Sequence, residues 1–145
     1  MKSNGVVLLV ESDPELRDRV GGWFEEEGFE VMACSGPSRP DYTCVARRRG
    51  SCALAHAADV VVMDLWLGSD QAMIGTSSTQ LLSYYLGSGK PVLAISARHD
   101  HGRLLKLFVQ DELVLFDWPP ERRELTETVR ATLAAGRQKV GPSAR

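Results

Sequence analysis

The sequence has no long hydrophobic run. The longest near its start, Val6 to Val10, is too short for a signal-peptide core and far too short to span a bilayer. The expectation is a cytoplasmic protein without a membrane partner. Cysteine is scarce, and Cys34, Cys44 and Cys52 make an odd count, so free thiols in a reducing compartment are expected, not a disulfide framework. Neither sign of charge dominates. A net charge of −2 offers no general attraction to nucleic acid or to an anionic membrane. Internal repeats and low-complexity stretches are absent too. With 145 residues, 43% of them apolar and 25% charged, the chain can bury one core but hardly two.

What is present is a regular alternation. The run at residues 6–10 shows no polar alternation and suits a strand covered on both faces. It ends in the polar cluster Glu11, Ser12, Asp13, Pro14, where Ser12 or Asp13 can cap a helix and Pro14 suits its first position. Leu16, Val20, Trp23 and Phe24 follow at helical spacing, and Gly28 closes that helix. Further short strands are predicted at 29–33, 60–63, 92–95 and 113–116. Helices are predicted near 79–86 and 102–109, and a last one after Pro119 and Pro120 buries Leu125, Val129 and Leu133. Residues 34–59 should hold one helix, but glycines and prolines there point to a loop with an irregular or broken helix. Strands alternating with helices indicate an α/β fold, a doubly wound five-stranded parallel sheet with the order 2-1-3-4-5, as in flavodoxin-like proteins.

Open parallel sheets bind ligands beyond the carboxyl ends of their strands. Each predicted strand ends in something polar at that rim: Glu11, Ser12 and Asp13 after the first, Asp64 after the third, Ser96 after the fourth, Asp117 and Trp118 after the fifth. Other polar groups carry less. Cys44, Cys52 and His56 lack the paired spacing of a zinc site, and the run at Arg47, Arg48 and Arg49 suits a solvated helix face. His99, Asp100 and His101 begin a helix, with Asp100 as a cap. The stretch from Gly87 to Lys90 precedes a strand and reads as a turn, not a phosphate loop.

Four segments carry a resemblance: VLLVESDPEL at 7–16, ADVVVMDL at 58–65, KPVLAISA at 90–97 and the corner at Trp118 and Pro119. In order and separation they resemble the receiver domains of bacterial response regulators over nearly the whole chain. The resemblance implies a CheY-like receiver domain at 1–135; the polar residues 136–145 read as a flexible tail. It implies that Asp64 is the phosphoryl acceptor and Ser96 the hydroxyl that senses the phosphoryl group. Glu11 takes the first place of the acidic pair. Ser12 stands where the second, metal-binding aspartate belongs, Trp118 where the lysine belongs, and Leu115 where an aromatic residue often switches rotamer.

These departures have physical consequences. The family's Mg²⁺ would fall to Glu11, Asp13 and Asp64, with Asp13 as candidate substitute for the lost carboxylate. A neutral hydroxyl at Ser12 removes charge from that oxygen shell and weakens metal binding. Phosphoryl transfer depends on neutralising the equatorial oxygens, and an indole brings one donor but no charge. Arg98 is the nearest candidate to supply the cation, and Lys106 a poorer one. The expected function is therefore a stand-alone atypical response-regulator receiver in two-component phosphorelay signalling, not an enzyme. Phosphorylation at Asp64 would be impaired or absent. Its partners would be a histidine kinase or another signalling protein, contacted through 104–109, Val114 and 122–130, and a homodimer stays open. The competing expectation is a small-ligand or nucleotide-binding module on the same sheet. A hydrolase using Asp64 as nucleophile would need a second acid/base group that the sequence does not offer.

Overall fold

The computed structural model describes residues 3–35, 52–65, 77–97, 100–108 and 113–143. The elements run β1 (Val6–Val10), α1 (Pro14–Glu26), β2 (Glu30–Cys34), α2 (Ala53–Ala57), β3 (Val60–Asp64), α3 (Ser77–Gly87), β4 (Val92–Ser96), α4 (His101–Leu107), β5 (Leu113–Asp117) and α5 (Arg122–Ser143). All strand pairs are parallel, and the sheet order is β2-β1-β3-β4-β5. The expected doubly wound α/β fold is what forms.

Period-two alternation sorts the strand residues between two apolar layers. Val7, Leu9, Val60, Val62, Leu93 and Ile95 face α1 and α5, packing on Leu16, Val20, Phe24, Leu125, Val129 and Leu133. Leu8, Val10, Val61, Met63, Val92 and Ala94 face the other helices, against Ala55, Leu81, Leu82, Tyr85 and Leu104. The three central strands are thus apolar on both sides, which is why their sequences show no polar alternation. Edge strands β2 and β5 are only half-buried.

Polar groups pin the elements at defined points. Asp59 accepts a hydrogen bond from the Val6 amide at 2.8 Å, tying the start of β3 to the start of β1. Lys90, in the predicted turn, donates to the carbonyls of His56 and Ala58 at 3.3 and 2.8 Å. That lysine thereby satisfies carbonyls at the C-terminal end of α2, as cations do at helix ends. On the outside of α1, Arg130 reaches Glu27 at 2.6 Å and Arg122 reaches Glu26 at 2.9 Å. Hydrogen bonds from both arginines hold the Glu27 carboxyl below its usual range, with the Arg130 bond the larger cause.

In the segment expected to hold an irregular or broken helix, the described residues carry one short helix, Ala53–Ala57, where alanines and a leucine favour it; residues 36–51, with Cys44 and the arginine run, lie outside the described residues. One boundary differs from expectation. The last helix continues past Gly136 to Ser143, through residues expected to form a flexible tail. Gly136 stands among Ala, Arg, Gln and Lys, where one glycine costs about 1 kcal/mol and does not end a helix; Gly141 and Pro142 fall only in the last turn. Among the described residues, no helix is long and apolar enough to cross a membrane.

Candidate functional site

β1 and β3 are neighbours, with Val10 opposite Met63, so the next residue along each chain, Glu11 and Asp64, meets its counterpart at the carboxyl rim. Both side chains are almost wholly buried, at 2% and 1% exposure. The two carboxyls are hydrogen-bonded to each other, an arrangement that requires a shared proton, because two carboxylates repel. Burial first, then the bond to Asp64 and its charge, push the Glu11 carboxyl up to about 9 from 4.5. At neutral pH the pair therefore holds one proton between its two carboxyls. The Asp13 amide donates to Glu11 Oε2 at 3.1 Å, and Arg17 Nη1 donates to the Glu11 carbonyl at 3.0 Å. Arg17, one helical turn along α1, is a support that sequence spacing did not single out.

Asp13 caps a helix. Its Oδ1 accepts from the Glu15 and Leu16 amides at 3.0 and 3.5 Å, capping α1 ahead of Pro14. Asp13→Ala is expected to cost about 1 kcal/mol, and Asp13→Asn almost nothing, since Asn caps as well as Asp. Urea denaturation of both variants checks this; equal losses would show that the charge, not the cap, matters.

Glu11, Ser12, Asp13, Leu16, Asp64 and Trp118 line one cavity of about 280 Å³. Among the described residues its lining holds three carboxyl groups, Leu16 and Trp118, and no cation. Trp118 is 47% exposed. Its amide donates to the Ser96 carbonyl at 3.1 Å, and a cis peptide bond follows to Pro119. Arg98, the expected compensating cation, lies outside the described residues.

Ser96 ends β4 fully buried, its hydroxyl donating to the Ala97 carbonyl at 3.4 Å, and it is not among the cavity's lining residues. Leu115 is half-buried and packs into the apolar layer that holds Leu81 and Leu104. The Ser96 carbonyl is met by a residue assigned from sequence only to a helix start. His101 Nε2 lies 3.3 Å from the Ser96 carbonyl and 3.7 Å from Asp117 Oδ1, so the imidazole bridges the ends of β4 and β5. Asp100 precedes α4 but makes no side-chain capping bond. Lys106 sits in the last turn of α4 and is absent from the cavity lining.

No family model matches the chain, and no curated protein does. Solved structures do match. A response regulator receiver domain protein from Clostridium thermocellum superposes with a TM-score of 0.65 at 11% identity, over 92% of this chain and 98% of that one. A CheY-like receiver domain protein from Methanospirillum hungatei gives 0.67 at 16% identity, over 93% and 98%. NtrX from Brucella abortus, solved in complex with ATP, gives 0.70 at 18% identity, over 97% of this chain but 29% of that one. At such identities the likeness is one of fold: this chain folds as a receiver domain.

Proposed function

We propose that this protein is an atypical receiver module of two-component signalling, acting through protein contacts, in which Mg²⁺-dependent phosphoryl transfer to Asp64 is lost or severely impaired. The observation that carries this is the content of the cavity beside Asp64: three carboxyl groups, an indole and, among the described residues, no cation. Phosphoryl transfer asks a site to neutralise negative charge, and these walls add more of it.

The donor set counts against Mg²⁺. This ion demands near-octahedral oxygen ligation and leans on one or two ionised carboxylates. Here Glu11 and Asp64 are bonded to each other, Asp13 is occupied with the α1 cap, and Ser12 is neutral. Among the described residues no three acidic, histidine or cysteine side chains converge as a metal-holding group. The nucleotide alternative fares worse in the same cavity. At about 280 Å³ it lies below the common ligand range of roughly 300–1,000 Å³, and it presents carboxyls to phosphate.

The test is incubation with acetyl phosphate and Mg²⁺, followed by intact-mass measurement. The expected result is no stoichiometric adduct. Prompt labelling that disappears in Asp64→Asn would overturn the proposal.

A further inference from the structure

The start of α4 and the ends of β4 and β5 meet at one side chain. We propose that His101 staples the three together, so that α4 and the backbone at Trp118 move as one unit and any change in how α4 is seated reaches position 118. The inference rests on the packing of this rim and not on the receiver reading, and it holds whether or not Asp64 accepts a phosphoryl group.

Ser96 and Asp117 are the last residues of their strands and stand opposite each other in the β4–β5 register. One rung further, the Trp118 amide donates to the Ser96 carbonyl at 3.1 Å. His101 Nε2 lies 3.3 Å from the same oxygen and 3.7 Å from Asp117 Oδ1, and a carbonyl oxygen has lone pairs for two donors. Because a carbonyl cannot donate, Nε2 carries a hydrogen in either charge state of the ring, and the link does not wait on protonation. The imidazole is only 21% exposed. A ring so placed cannot shift with α4 without disturbing the rung that anchors Trp118.

α4 needs such an anchor. It is seven residues long, and a helix that short does not persist without tertiary contacts. Its second residue is Gly102, which lowers its propensity further. Among the described side chains of α4 only Leu104 is buried, while Arg103, Leu105 and Lys106 are exposed. Leu104 ties the middle of the helix to the apolar layer around Leu81 and Tyr85. His101 ties its first turn to the strand ends.

The test is native-state amide exchange on the full chain, read by NMR at the Phe108 amide, which bonds to the Leu104 carbonyl, and at the Trp118 amide. His101→Leu keeps bulk but has no donor. It is expected to speed exchange at both amides roughly fivefold, the factor that one hydrogen bond of ordinary net strength supports, and to leave α1 unchanged. His101→Gln restores an N–H near the place of Nε2 and is expected to return both amides to within roughly twofold of the parent. The second arm tightens α4 instead of loosening it. A Cβ at Gly102 would meet no atom within 4 Å, so Gly102→Ala favours the helix without a clash. It is expected to slow exchange at Trp118 roughly threefold, and to lose that effect when combined with His101→Leu. Should His101→Leu fail to fold, His101→Asn, whose amide falls short of Nε2, takes its place in both arms. Four results each overturn the proposal: a Trp118 amide that His101→Leu leaves unmoved, one that Gly102→Ala leaves unmoved, a glutamine variant as fast as the leucine one, or a Gly102→Ala effect on Trp118 that survives the loss of His101.

Discussion

Ser12→Asp combined with Trp118→Lys is expected to accept phosphoryl groups from acetyl phosphate and Mg²⁺ on the order of 100-fold faster than the unaltered chain. Both positions already line the cavity beside Asp64, so the substitutions change its charge without moving the backbone. An aspartate at 12 adds a carboxylate beside Asp13, one of whose oxygens caps α1. A lysine at 118 puts a cation where charge builds up during transfer, and a single well-placed donor or cation is worth about 10²–10³ in rate. The backbone that aims position 118 is fixed independently of its side chain, by its amide bond to the Ser96 carbonyl. Labelling rates measured by mass spectrometry decide the matter. A double variant as inert as the parent would place the defect elsewhere, at Ser96 or outside the described residues.

Glu11→Gln is expected to stabilise the protein near about pH 8 by on the order of 2 kcal/mol, with little effect near about pH 4. The sign follows from the proton. In the folded chain Glu11 holds its proton up to about 9, while an exposed glutamate releases it near 4.5. Between those values the native state binds more protons than the unfolded state, so stability falls as pH rises through that window. Below it both states are protonated and the contribution is fully present. Glutamine keeps the geometry, with an N–H to donate to Asp64 and an oxygen to accept from the Asp13 amide, yet has no proton to lose. Thermal unfolding of both proteins across pH gives the answer. A parent curve that does not fall between about pH 5 and 8 would contradict the shared-proton arrangement.

Much of this was legible in the residues. The three central strands announce themselves because both faces are covered, and the strand order then places Glu11 and Asp64 side by side. The cap by Asp13 was likewise one of two readings offered by the cluster before Pro14. What sequence could not supply was choice between neighbouring candidates for one role. Either Ser12 or Asp13 suits a helix cap on paper, and only the directions of the Glu15 and Leu16 amides show that Asp13 is the one that caps. His101 was hidden for a different reason. Its partners, the Ser96 carbonyl and Asp117, come from two other strand ends, and a backbone acceptor leaves no trace in residue identity. Lys90 escaped notice in the same way, since its acceptors are carbonyls of a helix lying earlier in the chain. The continuation of α5 was missed because a polar stretch reads alike as a tail or as a solvated helix.

The sheet order carries a consequence for how the molecule is made. β1 emerges first but lies between β2 and β3, so its second neighbour is not synthesised until the whole α2 segment has been completed. Until then one edge of a wholly apolar strand stays open, and open edges of this kind are where chains stick to one another. Parallel pairing at such separation is also slow, because loop closure precedes any gain from contact. The two acids at the strand ends come together in the same event that closes this edge. Assembly of the cavity floor and burial of the most adhesive strand are therefore one kinetic step, and a chain stalled before β3 has neither.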